Sequence, residues 1–184
     1  YPLLGLGLTY LGSESWRNLV VEKKGRQLKK AFSNYVSPDL VREIEKNPDK
    51  LVLGGEQREI SILFSDIRGF TTVSESLTPP ELVTLLNEYL SPMTRIVLEE
   101  KGTLDKFIGD AVMAIFNAPL DVPGHAEHAC TAAVKMLEEL KRLNVGFAER
   151  GMHTLDIGVG INTGPAVVGN MGADIRFDYT AIGD

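Results

Sequence analysis

Residues 102–116 read GTLDKFIGDAVMAIF, two short runs of β-formers divided by Gly109-Asp110. A Gly-Asp pair between strand formers predicts a tight antiparallel hairpin. Upstream, TPPE at Thr78–Glu81 places Thr78 as N-cap, Pro79 at the first helical position and Glu81 at the third, a capping box. The helix it opens sets Leu82, Leu85, Leu86, Tyr89, Leu90, Met93, Ile96 and Val97 at 3.6-residue spacing. Pro92 lies inside that run and is expected to kink the helix or break it in two. Further upstream, REISILFSD at residues 58–66 reads as a buried strand ending in Asp66.

Downstream of the hairpin, a long helix is expected from about His125 to Glu149, with Ala129, Ala133, Leu137 and Leu140 on one side. Then Leu155, Ile157, Val159 and Ile161 alternate with Asp156, Gly158, Gly160 and Asn162, a strand with one apolar face and one nearly bare face. A bare face permits close approach of a backbone or a ligand. A short run, AVVG, returns after Gly164-Pro165, and a last strand starts at Arg176. The order strand, helix, helix, strand, strand, helix, strand, strand predicts an α+β sandwich: a mostly antiparallel sheet with helices on one face. The uncovered face needs a cover, and a second protomer is the economical one.

The chain has 184 residues, enough for one ordinary domain and a short appendage. Its charge is uneven. Arg17–Lys30 carries six basic residues and one acid, while residues 31–184 carry 13 basic and 23 acidic residues. An acidic body excludes a nucleic-acid binder and implies that metal cations are recruited if polyphosphates are handled. The lone Cys130 excludes a disulfide framework or thiolate metal site within one chain. Tyr1–Leu11, YPLLGLGLTYL, is too short to span a bilayer and reads either as a surface strand or as the end of a transmembrane helix. The basic run after it favours the second, since Lys and Arg collect on the cytoplasmic side. The chain therefore divides into 1–15, the end of a membrane span; 16–55, a juxtamembrane helical linker; and 56–184, the folded domain.

Asp66 follows a strand and Asp110 sits at a hairpin tip. If both enter one groove, they can hold the Mg²⁺ ions that accompany a triphosphate, and backbone N–H groups at Gly69, Phe70 and Thr71 can receive phosphate oxygens. Taken singly, each Asp reads more readily as a turn or cap residue than as a metal ligand. There is no G-x-x-x-x-G-K-[ST] phosphate loop, and Gly158, Gly160 and Gly164 leave no room for the helix of a dinucleotide fingerprint. His125 and His128 read as a satisfied helical pair without a third metal ligand, and His153 as a strand-edge residue.

FSDIRGFT (Phe64–Thr71), DKFIGDAVMAIF (Asp105–Phe116), INTGPAVVGNMG (Ile161–Gly172) and DYTAIGD (Asp178–Asp184) together resemble the class III nucleotidyl cyclase catalytic domain, in that family's order and over roughly Glu56–Asp184. The segment GRQLKKAFSNYVSPDLVREI is similar to the juxtamembrane helix of membrane-anchored bacterial cyclases. The resemblance implies a ferredoxin-like sandwich acting as a homodimer, with a nucleoside triphosphate and two Mg²⁺ or Mn²⁺ ions at each interface site. It implies that the 3′-hydroxyl attacks the α-phosphorus in line and expels pyrophosphate. Carried over, Asp66 and Asp110 ligate both ions and the Ile67 carbonyl adds a ligand. Lys106 donates to adenine N1 in the opposite site of the dimer, and Thr180 accepts from the exocyclic amine.

Guanylyl members tend to have Glu and Cys at these two places, so the resemblance implies ATP rather than GTP and an adenylyl cyclase. Arg176 matches a phosphate contact of the family. Phe70 and Phe107 are expected to pack more than to touch substrate. The family pattern continues beyond Asp184 with T-V-N-x-A-x-R, whose Asn and Arg serve the transition state, so this stretch alone is expected to be weak or inactive. The catalytic domain is expected in the cytoplasm beneath a membrane-anchored sensor. The alternatives are a guanylyl cyclase and an inactive, cyclase-like dimerisation module.

Overall fold

The structure, a computed structural model, describes residues 53–183 and Lys46. The expectations for 1–15, for nearly all of 16–55 and for Asp184 lie outside the described residues. The elements run β1 (Gly54–Ile67), α1 (Phe70–Glu75), α2 (Pro79–Glu99), β2 (Thr103–Ile108), β3 (Ala111–Phe116), α3 (His125–Glu149), β4 (Ile157–Ala173) and β5 (Arg176–Ile182). The strands form one sheet in the order β2-β3-β1-β4-β5, every pair antiparallel. This is the predicted α+β arrangement.

Strand alternation sorts side chains onto two faces. On one face Leu63 and Ile67 of β1, Val112, Ala114 and Phe116 of β3, and Ile157 of β4 pack against Leu85, Tyr89, Met93 and Val97 of α2 and Ala129, Ala132, Met136, Leu140 and Phe147 of α3. The other face carries a smaller cluster of Ile60, Ile115, Ala118, Ala166 and Val168, against which Tyr179 and Ala181 of β5 pack. Among the described residues no helix covers that side, and Phe64 stays 42% exposed there.

The capping box forms as the sequence predicts: the Thr78 N–H donates to the Glu81 carboxylate at 2.8 Å. Pro92, however, does not break α2, which runs 21 residues. Its buried stripe of Leu85, Tyr89, Met93, Ile96 and Val97 holds both halves on the same core, outweighing one lost backbone hydrogen bond. The expected stripe on α3 is also shifted. Leu137 is 41% exposed while Met136 is fully buried. Both stripes satisfy the helical period, and the small Ala129 and Ala132 let the helix lie close to the sheet with Met136 turned inward. β4 is one strand of 17 residues that continues through Gly164-Pro165. β1 pairs with it from Gly54↔Asn170 to Ile67↔Ile157, and β5 borders it only from Val167 onward. Pro165 thus falls where the second edge of β4 is unpaired by β5, the place a strand proline is tolerated. His153 lies before β4, outside any strand, with Nε2 3.0 Å from Ser76 Oγ.

Candidate active site

Asp66 occupies the penultimate position of β1, opposite Gly158 of β4. Gly160, opposite Phe64, is just as bare, and a Cβ placed on it would meet nothing within 4 Å. The side chain of Asp66 therefore faces an open trough rather than a packed neighbour. Asp110 enters the same place from the β2–β3 turn. Gly109, at φ 66°, takes the left-handed conformation that turns the chain, and Asp110 follows it, 8% exposed. The Ile67 N–H donates to Asp110 Oδ2 at 2.9 Å, tying the hairpin tip to the end of β1. Burial holds the Asp110 carboxyl above its ordinary range; the Ile67 N–H pulls it back, and the neighbouring Asp66 carboxyl pushes it up again.

Two carboxylates crowded together at the mouth of a trough are hard oxygen donors short of positive charge. Those residues fit divalent cations such as Mg²⁺ or Mn²⁺. Among the described residues no cluster of three or more His, Cys, Asp or Glu offers a rival metal centre. His125 and His128 are engaged elsewhere, His125 with Ser61 Oγ at 2.8 Å and His128 with Glu100 at 3.2 Å.

The chain leaves the carboxylates through Arg68, whose N–H donates to the Asp156 carbonyl at 2.8 Å, and reaches Gly69 at φ 67°. A left-handed residue there suits glycine and starts α1 directly beyond Ile67. Phe70 turns its ring into the main core, which leaves the backbone of Gly69, Phe70 and Thr71 as the part of this loop suited to an anion. Below the carboxylates, Tyr89 is fully buried, and burial raises its phenol pKa.

Lys106 and Thr180 lie on β2 and β5, the two edges of the sheet. They nevertheless meet. The Thr180 hydroxyl donates to Asp105 Oδ2 at 2.5 Å, and Lys106 Nζ lies 3.4 Å from Asp105 Oδ1. A hydrogen bond between edge strands requires the sheet to curl over its helix-free face, which the packing of Tyr179 and Ala181 against that face accomplishes. Asp105 was not singled out by the sequence motifs. Its signal is local: the β2–β3 register shifts between Leu104 and Lys106, so Asp105 is the extra residue of a bulge that re-aims its neighbours.

Arg176 stands apart from both groups, exposed at the tip of the β4–β5 hairpin and paired with Ala173. Phe107 is 46% exposed on the edge strand rather than packed.

The family model described as Adenylate and Guanylate cyclase catalytic domain matches residues 54–184. The chain is 40% identical over 156 residues to Adenylate cyclase 1 of Rhizobium meliloti (strain 1021), covering 83% of this chain and 23% of that protein. Among solved structures, the adenylyl cyclase CyaB from P. aeruginosa shares 42% identity at a TM-score of 0.68, over 71% of this chain and 68% of that one. The guanylyl cyclase Cya2 shares 40% at the same TM-score of 0.68, over 71% and 66%. This chain belongs to the adenylate and guanylate cyclase catalytic domain family, whose members are generally metal-dependent. It spans about a quarter of the length of the curated relatives it matches.

Proposed function

We propose that the domain is an adenylyl cyclase that converts ATP to 3′,5′-cyclic AMP and pyrophosphate. The observation that carries the choice of base is the meeting of Lys106 and Thr180 through Asp105, although they lie on opposite sheet edges. An ammonium donor beside a hydroxyl oxygen complements adenine, which offers the N1 acceptor and the exocyclic amine donor. Guanine offers the reverse at both atoms.

In this reading Asp66 and Asp110, with the Ile67 carbonyl, hold two Mg²⁺ or Mn²⁺ ions. Ions held there would supply the positive charge that lowers the pKa of the ribose 3′-hydroxyl and offsets the charge that develops on the phosphates. The chain itself orients the reactants. The Ile67 N–H fixes Asp110, the Gly69–Thr71 backbone receives phosphate oxygens, and the glycines of β4 leave room for the ribose and phosphates beside Asp66. Arg176, at its exposed hairpin tip, takes a phosphate oxygen of the nucleotide.

The protein works as a homodimer, with Lys106 and Thr180 of one protomer serving the carboxylates of the other. What supports this is the helix-free face, where Phe64 remains exposed, and the neighbouring Phe107 and Ile108, 46% and 54% exposed, more apolar area than a closed monomer shows around a polar site. We place the domain in the cytoplasm below a membrane anchor on the strength of the basic run Arg17–Lys30. Among the described residues no helix is long and apolar enough to cross a membrane.

The test is product formation by the complete protein from ATP or GTP with Mg²⁺ or Mn²⁺. Cyclic AMP that disappears in Asp66→Ala supports the proposal. Cyclic GMP as the main product establishes the guanylyl alternative, and a folded dimer that makes neither product is a regulatory module.

A further inference from the structure

Asp105 joins Lys106 to Thr180 but is given no role of its own in the chemistry above. Its side chain is 1% exposed on an edge strand. One carboxylate oxygen accepts the Thr180 hydroxyl at 2.5 Å, while the other, Oδ1, is buried without a hydrogen bond and has only the Lys106 ammonium, 3.4 Å away. Burying a carboxylate with an unfilled oxygen is costly, and a β-bulge to carry it costs ladder hydrogen bonds besides. A purely structural residue at this position gains nothing from the charge.

The chemistry of a carboxylate explains the arrangement. An ionised Asp only accepts hydrogen bonds, so the proton in the Asp105–Thr180 contact belongs to threonine. A hydroxyl has one proton. Once it is committed to Asp105, the Thr180 oxygen can present nothing but lone pairs to a ligand. A free threonine hydroxyl rotates and serves either the amine of adenine or the carbonyl oxygen of guanine. A clamped one serves only the amine. Burial pushes the Asp105 carboxyl up, the Thr180 hydroxyl and the Lys106 ammonium pull it back down, and Asp178 nearby raises it again.

We infer that Asp105 is a positioning residue for base selection: by holding the Thr180 proton, it makes the Thr180 oxygen an obligate acceptor that takes an amino-purine and rejects an oxo-purine. It acts through Thr180 and does not touch the nucleotide. The inference rests on the adenylyl reading of Lys106 and Thr180 and adds the group that gives the threonine its direction.

The experiment compares kcat/KM for ATP and for GTP, together with competitive affinities of the two nucleotides, in the complete protein and in Asp105→Asn, Thr180→Val and the double variant. The amide of Asn can donate to Thr180 Oγ1 and free the hydroxyl proton for a carbonyl, so Asp105→Asn lowers the ATP-to-GTP ratio about 10-fold, roughly the worth of one hydrogen bond reversed. In the Thr180→Val background the same substitution leaves the ratio where Thr180→Val put it. A role in folding alone lowers both nucleotides alike and leaves the ratio unmoved, and that result overturns the inference. So does a ratio change that persists in full without the Thr180 hydroxyl. Should Asp105→Asn fail to fold by circular dichroism, Asp105→Ala removes the buried charge outright and is read in the same way, with the same fall expected. A wild-type protein that prefers GTP or turns over neither nucleotide removes the adenylyl reading and this inference with it; a wild type that prefers ATP beside an unchanged Asp105→Asn ratio removes the inference only.

Discussion

Asp105 and Asp110 stand five residues apart, at a bulge in β2 and in the turn that ends it, and burial raises the carboxyl pKa of both. Their company differs. Asp105 has a cation of its own chain, Lys106, and a hydroxyl donor, so its charge is answered within the fold. Asp110 has backbone N–H groups and a second carboxylate, Asp66, so among the described residues its site carries an excess of negative charge that suits a cation from solution. In the proposed reading the same side chain serves recognition at one end of the strand and metal recruitment at the other. The neighbours decide which.

The largest effect separating the two ends is expected at Asp66. Asp66→Ala lowers cyclic AMP formation by at least about 10²- to 10³-fold, the scale of losing a group that organises transition-state charge, and leaves the melting temperature close to wild type because the residue is exposed. Initial rates and a thermal melt on one preparation check both. Next comes Lys106→Glu, which reverses the sign of the group facing the base. The ratio of kcat/KM for ATP over GTP falls about 10- to 100-fold, whereas a substitution at the metal end lowers both nucleotides together.

Asp110→Asn sharpens the contrast from the side of stability. The amide keeps an acceptor for the Ile67 N–H and removes the repulsion with Asp66, so the metal-free protein melts about 2–4 °C higher while activity is lost. A lower melting temperature contradicts the account of that site as strained by like charge. The smallest effect belongs to an acid that takes no part in either end. Glu100, 9% exposed, accepts hydrogen bonds from Lys135 and His128, and these hold its pKa below the ordinary value. A depressed acid contributes stability that is present above its unfolded pKa, about 4.3, and disappears as pH falls through the lower folded value. The melting-temperature gap between wild type and Glu100→Gln is therefore constant from neutral pH to about 5 and closes below 4. A gap that widens on acidification refutes the assignment.

Much of this architecture was legible beforehand because its signals are local. The Gly109-Asp110 turn, the Thr78–Glu81 capping box and the strand ending in Asp66 each depend on residues a few positions apart, and each forms where the sequence places it. The approach of Asp66 to Asp110 was legible only through resemblance, since nothing in two isolated acids says that a hairpin tip returns to the end of β1. Three expectations differ from the structure for a common reason: a break of α2 at Pro92, an interruption of β4 at Gly164-Pro165, and Leu137 on the buried side of α3. Each rests on local propensity or periodicity, and in each case a long-range partner overrode it. A buried stripe, a 14-residue ladder with β1 and the choice of facing helix stripe are properties of the packed whole.

The sequence by itself determined the order of elements, the turns and caps, and the carboxylates available for metal, because periodicity, glycine conformation and side-chain reach act over a few residues. Only the tertiary structure decided that β2 and β5, at opposite edges, would touch. That contact follows from the curl of the sheet and from the burial of Tyr179 and Ala181 on its helix-free face. It turns Asp105, Lys106 and Thr180, 75 residues apart from first to last, into one group, and no local rule reaches that far because the free energy behind it is apolar area removed from water across the whole sheet.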